Sequence, residues 1–240
     1  MFDTHRFLFL NTLTTDPTAP RITRYDSWGR FELSGRVLGN WVAKATNLLR
    51  TEYDPQPLDV IALDLPAGHW RTLYWALATW ACGAHLHIID PETDPATATT
   101  STGTPLLAIT DRPTKWTQLP LDTIAVSTAP LARSFERDLA GALDEAAEIS
   151  SYPDSADLAT SADPHDPACS DRGYEVTYND LISPHSPERL LLPLSADTSR
   201  MQALTLIASV LAAGGSIVTS DTTEDLNRLA TIERANLHHL

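Results

Sequence analysis

The stretch Leu58–Leu65, LDVIALDL, constrains this chain more than any other. It is a near-continuous apolar run of strand length, the pattern of a strand covered on both faces. From Ala67 to Cys82 the chain is rich in Trp and Leu, which predicts a helix stopped by Gly83. HLHII, His85–Ile89, predicts the next strand, ended by Asp90-Pro91. Strand, helix and strand in this order imply a right-handed parallel crossover, and so an α/β fold.

The flanking sequence keeps the same rhythm. Ile22–Asp26 and Arg30–Leu33 are short β-prone runs around Ser27-Trp28-Gly29 and predict a hairpin. Ser34 is placed to cap a helix that carries Val37, Leu38, Trp41, Ala45, Leu48 and Leu49 at helical spacing. That helix should stop before Asp54-Pro55, because proline disfavours helical geometry in the residue before it. Residues 90–105 are rich in Thr, Pro and Ala and predict a mobile loop. Leu106–Thr110 and Asp122–Ser127 predict strands, followed by a helix from Leu131 to Ala147. Residues 151–172 lack periodicity and predict a long irregular loop. Gly173–Tyr178, Arg189–Leu194 and Ser216–Ser220 predict further strands. An amphipathic helix from Thr198 to Ala213 presents Met201, Leu204, Ile207 and Leu211 and stops at Gly214-Gly215. A short helix capped by Thr223 completes the pattern, and the predicted class is layered, mostly parallel sheets with flanking helices.

Composition excludes some partners. The net charge of −14 repels nucleic acid and anionic membranes and gives a polyphosphate no long-range attraction. Cys82 and Cys169 lie far apart without CxxC spacing, which fits a reducing cytoplasm and excludes a disulfide framework. The opening apolar run, Phe7–Leu10, lacks the basic flank and cleavage site of a signal peptide. No stretch approaches the ~20 apolar residues of a membrane span. A cytoplasmic protein is expected.

Three segments together resemble the adenylate-forming (AMP-binding) superfamily of acyl-CoA synthetases, luciferases and peptide-synthetase adenylation domains. RYDSWGRFELSGRVLGNWVAKATNLLR (Arg24–Arg50) is similar to the family's opening hairpin and helix. LDVIALDLPAGHWRTLYWALATWACGAHLHIIDP (Leu58–Pro91) is similar to its early core motif, with a D-x-V-a-x-x-L-P strand and a later G-A-x-x-x-x-x-D-P. GYEVTYNDLI, RLLLPL and LTLIASVLAAGGSIVTS resemble the strand after the phosphate-binding loop and a later helix–Gly–strand. The resemblance implies the amino-terminal subdomain fold, as one truncated domain over residues 1–240. It also resembles short stand-alone relatives expected to lack the carboxy-terminal lid.

In that superfamily a Ser-, Thr- and Gly-rich loop ending in Lys, roughly T-S-G-T-T-G-x-P-K-G, holds the phosphates of ATP. Glycines let backbone N–H groups approach, hydroxyls donate and lysine balances charge. At the corresponding place the chain reads TSADPHDPACSDRG, in which only Thr160, Ser161, Arg172 and Gly173 keep part of the pattern. Pro164 and Pro167 remove N–H donors, and Asp163, Asp166 and Asp171 add negative charge. Ser101-Thr102-Gly103-Thr104-Pro105 superficially resembles such a loop but lacks the lysine and reads as a turn. After Ser220 there is no counterpart of the family's adenine-binding Y-G-x-T-E segment, hinge aspartate or lid lysine. No catalytic residue is assigned. The ATP and magnesium that the resemblance implies are not expected as cofactors.

His85 and His87 lie two apart on a strand and should share a face; with His69 or Asp90 they are candidate metal ligands, although no spacing forces them to converge. No metal site is assigned. His165 with Cys169, and Ser195 with Asp197, lack the elbow sequence of a nucleophile. Trp70, Trp75 and Trp80 are spread around one helix, so at least one should be exposed or at an interface. Three functions follow as expectations: a non-catalytic relative acting as an interaction module with a protein partner or a second copy, a protein binding an acyl or nucleotide ligand, or an acid-activating enzyme completed by a separate lid-bearing chain.

Overall fold

The computed structural model describes residue 13 and residues 15–129, 132–156, 162–194, 198–220 and 225–240. The chain forms two compact units, Met1–Trp41 with Asp180–Leu240, and Val42–Asn179. The division falls within the first described long helix, α1 (Gly35–Glu52).

The first unit is built on a five-stranded sheet. Strands β1 (Pro20–Asp26) and β2 (Gly29–Ser34) form the predicted antiparallel hairpin. The second unit holds β3 (Val60–Asp64), β4 (His85–Ile88), β5 (Pro105–Thr110), β6 (Asp122–Ala125), β7 (Leu143–Asp144), β8 (Pro167–Asp171) and β9 (Tyr174–Thr177). The chain then returns to the first sheet through β10 (Arg189–Pro193), β11 (Ser216–Ser220) and β12 (Asn236–Leu237). The sheet orders are β12-β10-β11-β1-β2 and β7-β6-β5-β3-β4-β8-β9. Among the described residues every pairing between these strands is parallel except β1–β2 and β8–β9. This is the layered, mostly parallel architecture that the sequence predicts.

In the first unit, α4 (Arg200–Ala212) links β10 to β11, and Ser199 caps it by accepting from Gln202 N at 3.3 Å. It is predicted to be amphipathic, yet Met201, Ala203, Leu204 and the run Ile207–Ala212 are all buried. Gly215 follows it because nothing larger fits: a Cβ there would stand 2.3 Å from the Glu188 carbonyl oxygen. The last helix, α5 (Leu226–Glu233), is capped by Asp225; the predicted cap Thr223 lies outside the described residues.

In the second unit, β3 is buried at every position, as its unbroken apolar sequence requires. α2 (Trp70–Cys82) crosses to β4 and ends at Gly83, whose φ of 83° suits the left-handed cap. Every residue from Arg71 to Cys82 is buried, so α2 is covered on all sides. That corrects the exposed half of the expectation: Trp75 and Trp80 are core residues and Trp70 is half-buried, with the Arg71 guanidinium 4.8 Å from its ring centroid. The predicted helix from Leu131 to Ala147 is also corrected; Leu131 lies outside the described residues. Ala140 and Gly141 both take positive φ, which no right-handed helix accommodates, and only α3 (Glu145–Glu148) is helical, capped by Asp144. No helix among the described residues is long and apolar enough to cross a membrane.

Burying Arg71 requires a counter-charge, and α3 supplies it. Arg71 Nη1 donates to both oxygens of Glu145, at 2.7 and 2.6 Å, and the Tyr74 hydroxyl donates to the same carboxylate. Glu145→Ala leaves that cation in the core without its carboxylate and should cost roughly 3–5 kcal/mol in urea unfolding. Glu145→Gln keeps an acceptor and should cost less. A loss under about 1 kcal/mol for the alanine variant would mean that the pair behaves like a solvated surface pair.

Candidate functional site

Within the stretch that the sequence sets beside a phosphate-binding loop, residues 167–173 belong to a hairpin. β8 runs parallel to β4, with Leu86 level with Cys169 and His87 level with Ser170, and then turns into the antiparallel β9, where Asp171 pairs with Tyr174. Only Arg172 and Gly173 lie between, at φ of 49° and 84°. Two consecutive positive φ values define a type I′ turn, whose twist matches paired strands and which favours Gly at its second position. The Arg172 guanidinium donates from Nε to Asp90 Oδ2 at 2.6 Å and lies 3.9 Å from Asp171.

Of the four residues singled out in the sequence, Arg172 and Gly173 are the centre of this turn, and Thr160 and Ser161 lie outside the described residues. The predicted irregular loop over residues 151–172 needs correction as well. Ile149–Ser151 is a 3-10 turn, and Pro167–Asp171 is β8. Asp163 and Asp166 close their own turn: Asp163 N donates to Asp166 Oδ2 at 2.7 Å, and His165 N donates to Asp163 Oδ1 at 2.9 Å. Tyr178 N to Asp166 O and Asn179 N to Pro164 O, at 3.0 and 2.9 Å, carry the pairing back along the hairpin. β8 is anchored to the core where Trp80 Nε1 donates to Ala168 O at 2.9 Å.

Beside the turn lies a small polar cluster. His85 and His87 share a face of β4, as their spacing predicts, and both reach Ser170: His85 Nε2 is 2.8 Å and His87 Nδ1 2.9 Å from its Oγ. The other nitrogen of His85 lies 2.9 Å from Thr102 Oγ1. Next to Thr102, Ser101 donates to Glu175 on β9 at 2.5 Å. Ser101–Thr104 is thus the predicted turn, closed by the Thr100–Gly103 bridge, and it ties to both β4 and β9. Thr97 and its neighbours in the predicted 90–105 loop form a 3-10 turn capped by Asp94. A serine hydroxyl holds one proton, so one imidazole accepts from Ser170 and the other donates to it.

Burial pushes the His85 imidazole down to about 4, with Glu175 pulling up and His87 adding to the depression. His87 is also lowered, mainly by burial. The other residues weighed as metal ligands are elsewhere. His69 caps α2 by accepting from Arg71 N at 3.3 Å, and Asp90 is bound to Arg172.

A third polar centre lies at the carboxyl ends of β3 and β5, where the strand order reverses. Open α/β sheets bind ligands at such switch points. Here the chain's own side chains converge. Asp64, 2% exposed, accepts from Thr110 Oγ1 at 2.9 Å, from Trp116 Nε1 at 3.1 Å and from the Arg112 guanidinium. Arg112 also donates to Pro91 O at 3.1 Å. Burial and the neighbouring Asp64 push the Asp111 carboxyl up. The sequence motif over Leu58–Pro66 contains Asp64 but holds no sign of its partners, which come from 46 to 52 residues further on.

No family model matches the chain. Solved structures of adenylate-forming enzymes share its fold. The Brucella canis acyl-CoA synthetase superposes with a TM-score of 0.72 at 13% identity, covering 98% of this chain and 47% of that one. The N-terminal domain of FACL13 from Mycobacterium tuberculosis gives 0.70 at 13% identity, over 96% of this chain and 61% of that one. The fatty acyl-adenylate ligase from L. pneumophila gives 0.62 at 16%, over 96% and 42%. The fold is therefore that of the N-terminal subdomains of adenylate-forming enzymes. A curated Mycobacterium tuberculosis protein, named by a family and not by an activity, is 43% identical over 89 residues, 36% of each chain. This chain covers about half the length of the Brucella canis synthetase, and its match to the curated relative covers about a third of that protein.

The neutral histidines make stability depend on pH. The unfolded chain binds a proton at His85 near the ordinary 6.5, whereas the folded chain resists it until about 4. Stability from this group is complete above pH 6.5 and falls as pH drops through that window, because the unfolded state then holds more protons. Urea midpoints measured between those limits should decline in the wild type and decline less in His85→Gln. A flat wild-type profile would contradict a buried neutral imidazole.

Proposed function

We propose that this chain is a non-catalytic relative of the adenylate-forming enzymes, a pseudoenzyme that acts as a binding or interaction module. The observation that carries this reading is the two-residue turn Arg172-Gly173 at the place where the resemblance puts a phosphate-binding loop. A phosphate cradle needs several N–H groups converging from one flexible loop. In a two-residue hairpin the flanking residues bond to each other, so the turn offers no loop of converging amides. The Arg172 cation is committed to Asp90, and the Asp171 and Asp90 carboxylates add negative charge beside it. These features speak against a fit for a magnesium nucleoside triphosphate.

The switch point supports the same reading. Asp64, Thr110, Arg112 and Trp116 bond to one another there, so a ligand calling on these groups would compete with an ion pair whose carboxylate is buried. A cytoplasmic setting is supported by Cys82 and Cys169, both free and buried. Fold alone does not carry an activity when the site residues differ.

ATP–pyrophosphate exchange tests this proposal. The purified chain, offered carboxylic acids from acetate through long-chain fatty acids to amino acids, should give exchange no faster than a protein-free control. Exchange that rises in proportion to the chain would restore the enzyme reading, and exchange appearing only with a second, lid-bearing chain would identify a split enzyme.

A further inference from the structure

β2 ends the five-stranded sheet among the described residues. Its register pairs Asp26 with Gly29, Tyr25 with Arg30, Arg24 with Phe31 and Thr23 with Glu32. In an antiparallel ladder successive pairs alternate between hydrogen-bonded and open. A two-residue turn is closed by a hydrogen-bonded pair, here Asp26 with Gly29, so Arg24 and Phe31 form the next one. The amide and carbonyl groups of Arg30 and Glu32 therefore face the outer edge of the sheet. An edge of this kind is a template for another strand.

The charges on that edge are arranged symmetrically. Arg30 and Glu32 lie on one face on either side of Phe31, with side chains 42% and 31% exposed, and they form an ion pair within the strand. Glu233 accepts from Arg30 Nε at 2.8 Å and holds the guanidinium in place. We propose that β2 pairs antiparallel with β2 of a second copy of this chain, about a two-fold axis through Phe31. Arg30 of each copy then lies opposite Glu32 of the other, giving two cross-strand ion pairs, and the outward backbone groups of both residues bond across the axis.

The sequence excludes the neighbouring registers. Sliding by two residues sets Arg30 against Arg30 or Glu32 against Glu32, and parallel in-register pairing opposes both like pairs at once. Sliding by one residue turns the apolar face of the added strand outward. Only the arrangement centred on Phe31 sets Arg30 opposite Glu32 at both positions. It also brings Trp28, 77% exposed, beside Ser34 of the second copy. The interface is isologous and closes at two copies.

This inference names a partner for the interaction module and rests on that reading only in that sense. A dimer that also catalysed pyrophosphate exchange would remove the non-catalytic reading and leave the dimer, whereas an inert monomer would do the reverse. The test is sedimentation velocity of the whole chain over a dilution series. Physiological ionic strength, with a Debye length of about 8 Å, screens the long-range repulsion between two bodies of charge −14. A dimer that dissociates on dilution is expected. Glu32→Arg should weaken it roughly tenfold or more, since two attractive cross-strand pairs become repulsive. The double variant Arg30→Glu/Glu32→Arg restores both cross-strand pairs but turns the contact with Glu233 repulsive, so it should recover part of the affinity that Glu32→Arg loses. Should Glu32→Arg fail to fold by circular dichroism, Glu32→Gln carries the test with a smaller loss. A monomer at every concentration, or a dimer unmoved by Glu32→Arg, would overturn the proposal.

Discussion

β8 enters its sheet beside β4 with Ser170 level with His87, and every polar feature along that edge is placed by this register. It brings the Ser170 hydroxyl between two imidazoles of β4. It sets Asp171 at the end of the strand, so that the chain reverses immediately through Arg172-Gly173 and pairs back as β9. It also brings Arg172 to Asp90, the residue that ends the strand–helix–strand unit. A long mobile loop cannot leave β8 while that reversal is in place. The edge is consequently compact and internally bonded where the superfamily resemblance leads one to expect an open cradle.

The interior of the same unit follows a similar logic. Arg71 and Glu145 pair in the core, and Asp64 gathers Thr110, Arg112 and Trp116 at the end of the central strand. Buried ion pairs of this kind add little net stability but penalise any arrangement that separates the partners. The Asp64 group lies at the carboxyl edge of the sheet, the position where α/β folds ordinarily receive ligands. In the first unit Glu233 collects Arg30, Arg189 and Tyr25, which hold its carboxyl down to about 2 against the effect of burial. That ionised carboxylate orients the cation at the sheet edge.

The sequence made most of the scaffold legible because its strands and helices advertise themselves locally. The apolar run of β3, the glycine after α2 and the hairpin around Trp28 each follow from residues within one element. The misreadings share a cause. β8 contains Pro, Ala, Cys and Ser, with little intrinsic strand character, and becomes a strand through its neighbour β4. The helix expected near residues 131–147 fails at Ala140 and Gly141, where positive φ is imposed by the turn that leads to β7. At the candidate site, the pairing of two histidines was visible in their spacing. Their shared partner Ser170 was not, since it lies more than eighty residues away. Contacts of that range leave no local pattern, and neither does the Arg71–Glu145 pair.

If the Arg172-Gly173 turn leaves no place for a nucleoside triphosphate, calorimetric titration of the whole chain with Mg-ATP should give no heat of binding. That holds up to millimolar nucleotide, at low and at physiological salt. A saturable heat with a micromolar dissociation constant would contradict it and return a nucleotide-binding role to this fold.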